Sequence, residues 1–329
     1  MEKHPLLSIC IPTYNRASIL EKALQNITEN KAFDNDVEIV ISDNCSTDNT
    51  AEIVRKYMDK YSNIFYYKNE KNVQDENFWI VLNEAHGEYL KLHNDYLGFS
   101  EDGLSIMKDY LRKYHNMQIF FTSGCIYTKK NISTCLCNNL DDYQRCISTF
   151  ATYIAIFGLW KKDLHCIQNP LEHRVSKLPQ LDWTYKLLSK VGKSMIVNEE
   201  TFITLVDLGP KGGYNWFDIH MKNYYELMLP YVHNNYISKK TYSKDVSNCL
   251  WHFRLELICI YIYTPSFYKF DKKGTLRILF HYGKKSPFLY MYIMIFPWLL
   301  LLKPFMHLFY KTKWIHDFAM KILDRKIIK

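Results

Sequence analysis

Two occurrences of one local pattern near the start of the chain restrict its fold more than any other feature. A short apolar run, Ser8-Ile9-Cys10-Ile11, stops at Pro12-Thr13-Tyr14-Asn15-Arg16 and feeds a segment with helical spacing at Ile19, Leu20, Ala23, Leu24 and Ile27. In the same way Val37-Glu38-Ile39-Val40-Ile41 stops at Ser42-Asp43-Asn44. Thr47 to Thr50 then supplies start residues for a helix carrying Ile53, Val54, Tyr57 and Met58. Strand, loop and helix in succession, twice, predict an α/β fold around a parallel sheet. Ligands of such sheets sit beyond the carboxyl ends of the strands, so the polar residues after both runs are binding candidates before any chemistry is assigned.

The pattern continues. Strands are expected at 64–67 and at 88–92, the latter running into His93-Asn94-Asp95-Tyr96, with a helix over 77–85 between them. A helix over 103–114 and a strand over 118–123 follow. Residues 125–144 read as irregular or hairpin-like, 152–159 as an aromatic strand, 182–191 as a helix, and 195–197 and 202–205 as short strands. Composition shifts at Asp207. Gly209 to Tyr214 is a glycine-rich loop in which Lys211 and Gly212 are candidates for phosphate contact, and helical patterns occupy 217–229 and 242–263. Two regions are therefore expected: 1–206, with halves 1–100 and 101–206, and a helical region 207–329.

Near the end, Phe288 to Leu302 is a run of 15 uncharged residues interrupted by Pro297. At 1.5 Å per residue it reaches about 22 Å, short of the roughly 30 Å hydrocarbon thickness. Segment 284–314 fits an interfacial anchor better than a span, with Tyr290, Tyr292, Trp298 and Trp314 at headgroup level and Lys284, Lys285, Lys303, Lys311 and Lys313 facing anionic lipid. The 42 basic against 34 acidic residues, net +8, suit anionic ligands or such a surface. No nucleic-acid-binding motif accompanies them. Nine irregularly spaced cysteines read as free thiols; Cys135 and Cys137 have one residue between them, with no second pair to complete a zinc pattern. Residues 1–5 lack the apolar core of a signal peptide, which places the expected working face on the cytoplasmic side.

Ser8 to Arg16, Glu38 to Asn44 with Ser46-Thr47-Asp48, Tyr67 to Asn72, Asn77 and Ala85 to Leu90 together resemble family 2 glycosyltransferases, well over the first 110 residues and loosely over the next 90. The resemblance implies a GT-A fold, a Rossmann-like mixed sheet flanked by helices. It also implies inverting transfer of a sugar from a nucleoside diphosphate, UDP being the expected one, to a saccharide or polyprenyl-linked saccharide in cell-surface glycan assembly. By position, Pro12, Thr13, Tyr14, Arg16, Asp43, Asn77, Asn94 and Asp95 would meet the nucleotide. Asp182 matches the catalytic base, though at a helix start it would also serve as an N-cap. Trp183 beside it would shape the acceptor site.

One departure stands out. Relatives carry two or three Asp residues where this chain has Asn94-Asp95-Tyr96-Leu97, so Mn²⁺ or Mg²⁺ would rest on Asp95 with help from Glu101 or Asp102. Metal-supported transfer, transfer with little metal dependence, and a non-catalytic nucleotide or glycan binder all remain open from sequence. Oligomeric state is not legible.

Overall fold

A computed structural model describes residues 4–126, 133–208, 213–261, 270–294, 297–298 and 301. The chain divides into two compact units, 1–207 and 208–329.

In the first unit, β1 (Leu7–Thr13), α1 (Ala17–Glu29), β2 (Val37–Asp43), α2 (Thr50–Met58), β3 (Ile64–Lys68), α3 (Asn77–Asn83) and β4 (Tyr89–Leu92) alternate along the chain. They are followed by β5 (Leu97–Phe99), α4 (Gly103–Lys113), β6 (Gln118–Phe121), β7 (Thr134–Cys137), α5 (Leu140–Ile147), β8 (Gly158–Trp160), α6 (Pro179–Val191), β9 (Ser194–Val197) and β10 (Phe202–Thr204). The main sheet has the order β3-β2-β1-β4-β8, parallel except for β8, which runs antiparallel to β4. β10 pairs antiparallel with β5, and β6-β9-β7 form a mixed sheet of three. This is the Rossmann-like mixed α/β architecture that the sequence predicts.

Ile9, Ile11, Val37, Ile39 and Ile41 on one face and Cys10 and Val40 on the other are fully buried, as expected of a parallel sheet covered on both faces. α1 buries Leu20, Ala23, Leu24 and Ile27 and packs against α2 and β5. Glu38 is a buried charge in β2 that holds neighbouring segments together. Its Oε1 accepts from Ser8 Oγ (2.6 Å), His86 N (2.6 Å) and Gly87 N (3.0 Å), while Oε2 lies 3.1 Å from His86 Nδ1. This ties the turn before β4 to β1 and β2. Glu38→Ala would leave Ser8 Oγ and His86 N without this acceptor, Gly87 N keeping Ser8 Oγ (2.9 Å), and we expect a loss of about 3 kcal/mol, read as a lower urea midpoint at unchanged m-value.

Two local expectations are corrected. Residues 152–159 carry the ends of two tight 3₁₀ turns, 148–152 and 154–156, and join a strand only from Gly158. Segment 125–144 contains a strand and most of a helix. β7 has four residues, and α5 starts where Asn139 Oδ1 accepts from Asp142 N and buries Leu140, Tyr143, Gln144 and Ile147 at helical spacing.

In the second unit, a π-helical turn over Asp218–Asn223 leads into α7 (Tyr224–His233), followed by α8 (Lys239–Tyr261) and α9 (Thr275–Gly283). Among the described residues no helix is long and apolar enough to cross a membrane. Lys211, Gly212 and residues 302–314 lie outside the described residues.

Candidate active site at the strand exits

β1 and β2 end side by side, with Thr13 opposite Asp43 in register, and Asn44 N donates to Thr13 O (2.9 Å). Beyond them two loops clamp each other. Asn15, at φ 50°, donates its N–H to Ser46 Oγ (2.8 Å) and accepts at Oδ1 from Thr47 N (2.8 Å). Asp48 accepts from Ala17 N at the start of α1 (2.9 Å) and from Thr50 Oγ1 (2.5 Å). The Asp48 carboxyl is lowered: these bonds to Thr50 and Ala17 outweigh the opposing effect of burial. The loop after β1 is thus held in place while Tyr14 stays exposed at 43%.

Asp95, just past β4, reaches the same loop. Its Oδ2 accepts from Thr13 Oγ1 (3.0 Å) and its Oδ1 from Arg16 Nη1 (2.9 Å). The Asp95 side chain is nearly enclosed, whereas Arg16 remains 42% exposed. Burial raises the Asp95 carboxyl above its ordinary value, opposed by the Arg16 guanidinium and the Thr13 hydroxyl. The structure therefore brings Thr13, Arg16 and Asp95 into one cluster, with Pro12 and Asn94 half-buried beside them in sequence.

The donor set is a poor one for Mn²⁺ or Mg²⁺. Hard divalent cations want several oxygen ligands. Asp95 offers one carboxylate, both of whose oxygens are already hydrogen-bonded, and Tyr96 and Leu97 follow it in place of acids. Glu101 is exposed and paired with Lys31 (3.4 Å), and Asp102 sits at the start of α4. Among the described residues, Asp95 joins no group of three potential metal ligands. The expected metal role of Asp95 does not fit these residues.

Asp43 and Asn77 take positions that sequence alone does not reveal. Asp43 has no exposed surface; Oδ1 accepts from Ser46 N (2.8 Å) and Oδ2 from Tyr66 Oη (2.6 Å), so here it organises the loop after β2. Burial and that bond push the Tyr66 phenol well above its ordinary value. Asn77 is buried too. It donates to Ser42 O (2.8 Å) and accepts from Ser42 Oγ (2.6 Å) and Asn69 Nδ2 (2.8 Å), which fixes the start of α3 against the end of β2.

Asp182 does not cap its helix. α6 begins three residues earlier, with Pro179 in its first turn, where a missing N–H costs nothing, and Leu178 at the N-cap. The Asp182 side chain is 3% exposed, 2.9 Å from Lys186 Nζ and 3.9 Å from His173 Nε2. Burial raises its carboxyl, while Lys186 and His173 pull the other way. Lys186 also holds Glu172 at 3.0 Å. Despite its own burial, Lys186 is raised by bonds to Asp182 and Glu172. The expectation that Trp183 meets an acceptor is corrected: the ring is fully buried, packs against Trp79 and Phe157, and donates Nε1–H to Pro170 O (2.8 Å). It joins α6 to α3 and has no surface for a ligand.

Residues 8–132 match the model for "Glycosyl transferase family 2". Over those residues the chain is similar to that family. The chain is 39% identical over 108 residues to the abequosyltransferase RfbV of Salmonella typhimurium, a match covering 32% of each chain. It is 36% identical over 93 residues to the GalNAc(5)-diNAcBac-PP-undecaprenol beta-1,3-glucosyltransferase of Campylobacter jejuni, covering 28% of this chain and 29% of that one. The chain spans only about a third of the length of these curated relatives. The crystal structure of S. aureus TarS superposes with a TM-score of 0.57 at 14% identity, over 85% of this chain and 49% of that one, a likeness of fold. Together these findings identify the architecture as GT-A.

Proposed function

We propose that the chain transfers a sugar, with inversion, from a UDP-linked donor to a saccharide or polyprenyl-linked saccharide acceptor in cell-surface glycan assembly. The observation that carries this reading is the joining of Thr13, Arg16 and Asp95 beyond the ends of β1 and β4, beside an exposed Tyr14. The Tyr14 ring offers a face for a base, and the Arg16 fork suits a diphosphate. Asp43 and Asn77 hold the neighbouring segments at the strand exits in place. Asp182 is the base: its carboxylate takes the proton of the acceptor hydroxyl as that oxygen attacks C1 from the side opposite the departing nucleoside diphosphate.

The names of relatives favour the acceptor class, since one of them acts on a PP-undecaprenol-linked saccharide. Thermal-shift and turnover assays with UDP-, GDP- and dTDP-sugars test the reading. Stabilisation by UDP together with transfer to a lipid-linked saccharide is the expected result; binding without turnover across the panel and a range of acceptors would leave a non-catalytic binder instead.

A peripheral position on the cytoplasmic membrane face belongs to the same proposal. Leu276 and Phe280 on α9, then Tyr290, Ile293, Met294, Trp298 and Leu301, are exposed large apolar residues, with Arg277, Lys284 and Lys285 among them in sequence. Full-length protein should co-sediment with vesicles containing phosphatidylglycerol and be released by high salt, whereas a chain ending before Lys284 should stay in the supernatant. Equal partitioning of the two would remove the membrane reading.

A further inference from the structure

Three sulfurs meet at a place the transfer chemistry does not use. Cys135 and Cys137 are two residues apart on β7 and so point to one face of it; Leu136 between them points out and is 57% exposed. Cys146 lies one residue from the end of α5, the next element in the chain. The three Sγ atoms lie within 4.8 Å of one another. In the structure Cys135 and Cys146 are joined as a disulfide, which corrects the expectation of nine free thiols; Cys137 is free and fully buried.

A two-cysteine bridge accounts for this arrangement incompletely. The Cα atoms of Cys135 and Cys146 are 7.2 Å apart, outside the roughly 4.4–6.8 Å usual for a bridge. A third sulfur on the same strand face has no place in such a bridge, but it is what a thiolate metal site requires. Zn–S bonds of about 2.3 Å put the sulfurs of a tetrahedral site about 3.8 Å apart, within the compass of this group. Cys135 and Cys146 are only half-buried, which leaves room for water as a fourth ligand.

We infer that Cys135, Cys137 and Cys146, in reduced form, bind one Zn²⁺ ion through three thiolates and so pin β7 to α5. The balance is simple. An external thiol or phosphine reductant supplies two electrons and two protons arrive from solvent, opening the Cys135–Cys146 bond to two thiols; Zn²⁺ then displaces one proton from each of the three thiols. Ser194 faces Cys137 across the β7–β9 ladder and is fully buried.

The test uses full-length protein kept in a phosphine reductant and stripped with EDTA. It is titrated with ZnCl₂ against a chromophoric chelator, and separately with CdCl₂, whose thiolate complexes absorb in the ultraviolet. One equivalent per chain is expected, together with zinc protection of Cys135, Cys137 and Cys146 from maleimide, mapped by peptide mass spectrometry. Cys137→Ala and Cys146→Ala should weaken binding by about a hundredfold or more, and Cys45→Ala should not. The labelling is read on the unaltered chain, so misfolding of a variant does not blunt the test. Uptake well below one equivalent, labelling that ignores zinc, or re-formation of the bridge with no metal bound would each overturn the inference.

Discussion

Asp182→Asn is expected to lower kcat for sugar transfer by about three orders of magnitude while leaving donor affinity within about twofold, because a positioned general base contributes about 10²–10⁴. Asn keeps the shape of the side chain one turn into α6 and removes its ability to take a proton. Binding is spared because the residues proposed to hold the nucleotide lie on the loops after β1 and β4. The pH profile supplies an independent check. The working base is the ionised carboxylate, so turnover falls as pH drops through the folded-state pKa of Asp182, which burial places above the ordinary carboxyl value. Lys186, 2.9 Å away, opposes that rise. Lys186→Met should therefore move the acid limb of kcat to higher pH, and Lys186→Arg should leave it nearly in place. Full turnover in the Asn variant, or an acid limb indifferent to Lys186→Met, would refute the assignment.

The main sheet is legible in the sequence because its strands are continuous apolar runs broken by residues that stop strands. Ile9 to Pro12 and Ile39 to Ser42 declare both the strand and its exit, and parallel topology then fixes where a ligand goes. Thr13, Arg16 and Asp95 stand out on that ground. Their partnership does not, since the hydrogen bonds joining them link residues 82 and 79 positions apart. Asp43 and Asn77 illustrate the complementary limit. A polar residue at a strand exit reads the same whether it faces a ligand or ties a loop, and only its partners in space separate the two. Trp183 misleads because its neighbours in space, Trp79 and Phe157, lie far from it in sequence. Cys146 as a partner of the Cys135–Cys137 pair escapes notice for a related reason: it sits on a helix whose short amphipathic pattern starts inside a segment that looks irregular, so its spacing from them carries no recognisable motif.

Asp95 and Arg16 should behave as one unit in nucleotide binding. Arg16→Ala removes the exposed fork proposed to meet the diphosphate and strips a nearly buried carboxylate of its counter-charge; burial already raises Asp95, so losing the guanidinium favours its neutral form. Asp95→Asn keeps the Thr13 contact in reach but frees Arg16 to wander from its 2.9 Å anchor. Each single variant should lose about 10- to 100-fold in affinity for UDP by calorimetry, in keeping with the roughly 2–5 kcal/mol seen when one partner of a buried charge pair is truncated, discounted here because Arg16 is part-exposed. The double variant should be little worse than Arg16→Ala, a coupling of about 1–2 kcal/mol. A metal-centred role for Asp95 predicts otherwise: Asp95→Asn would abolish Mn²⁺-dependent binding, Arg16→Ala would spare it, and the two losses would add. Running the cycle with and without Mn²⁺ separates these outcomes, since a carboxylate that serves to aim a cationic side chain leaves a coupling energy that does not depend on the metal.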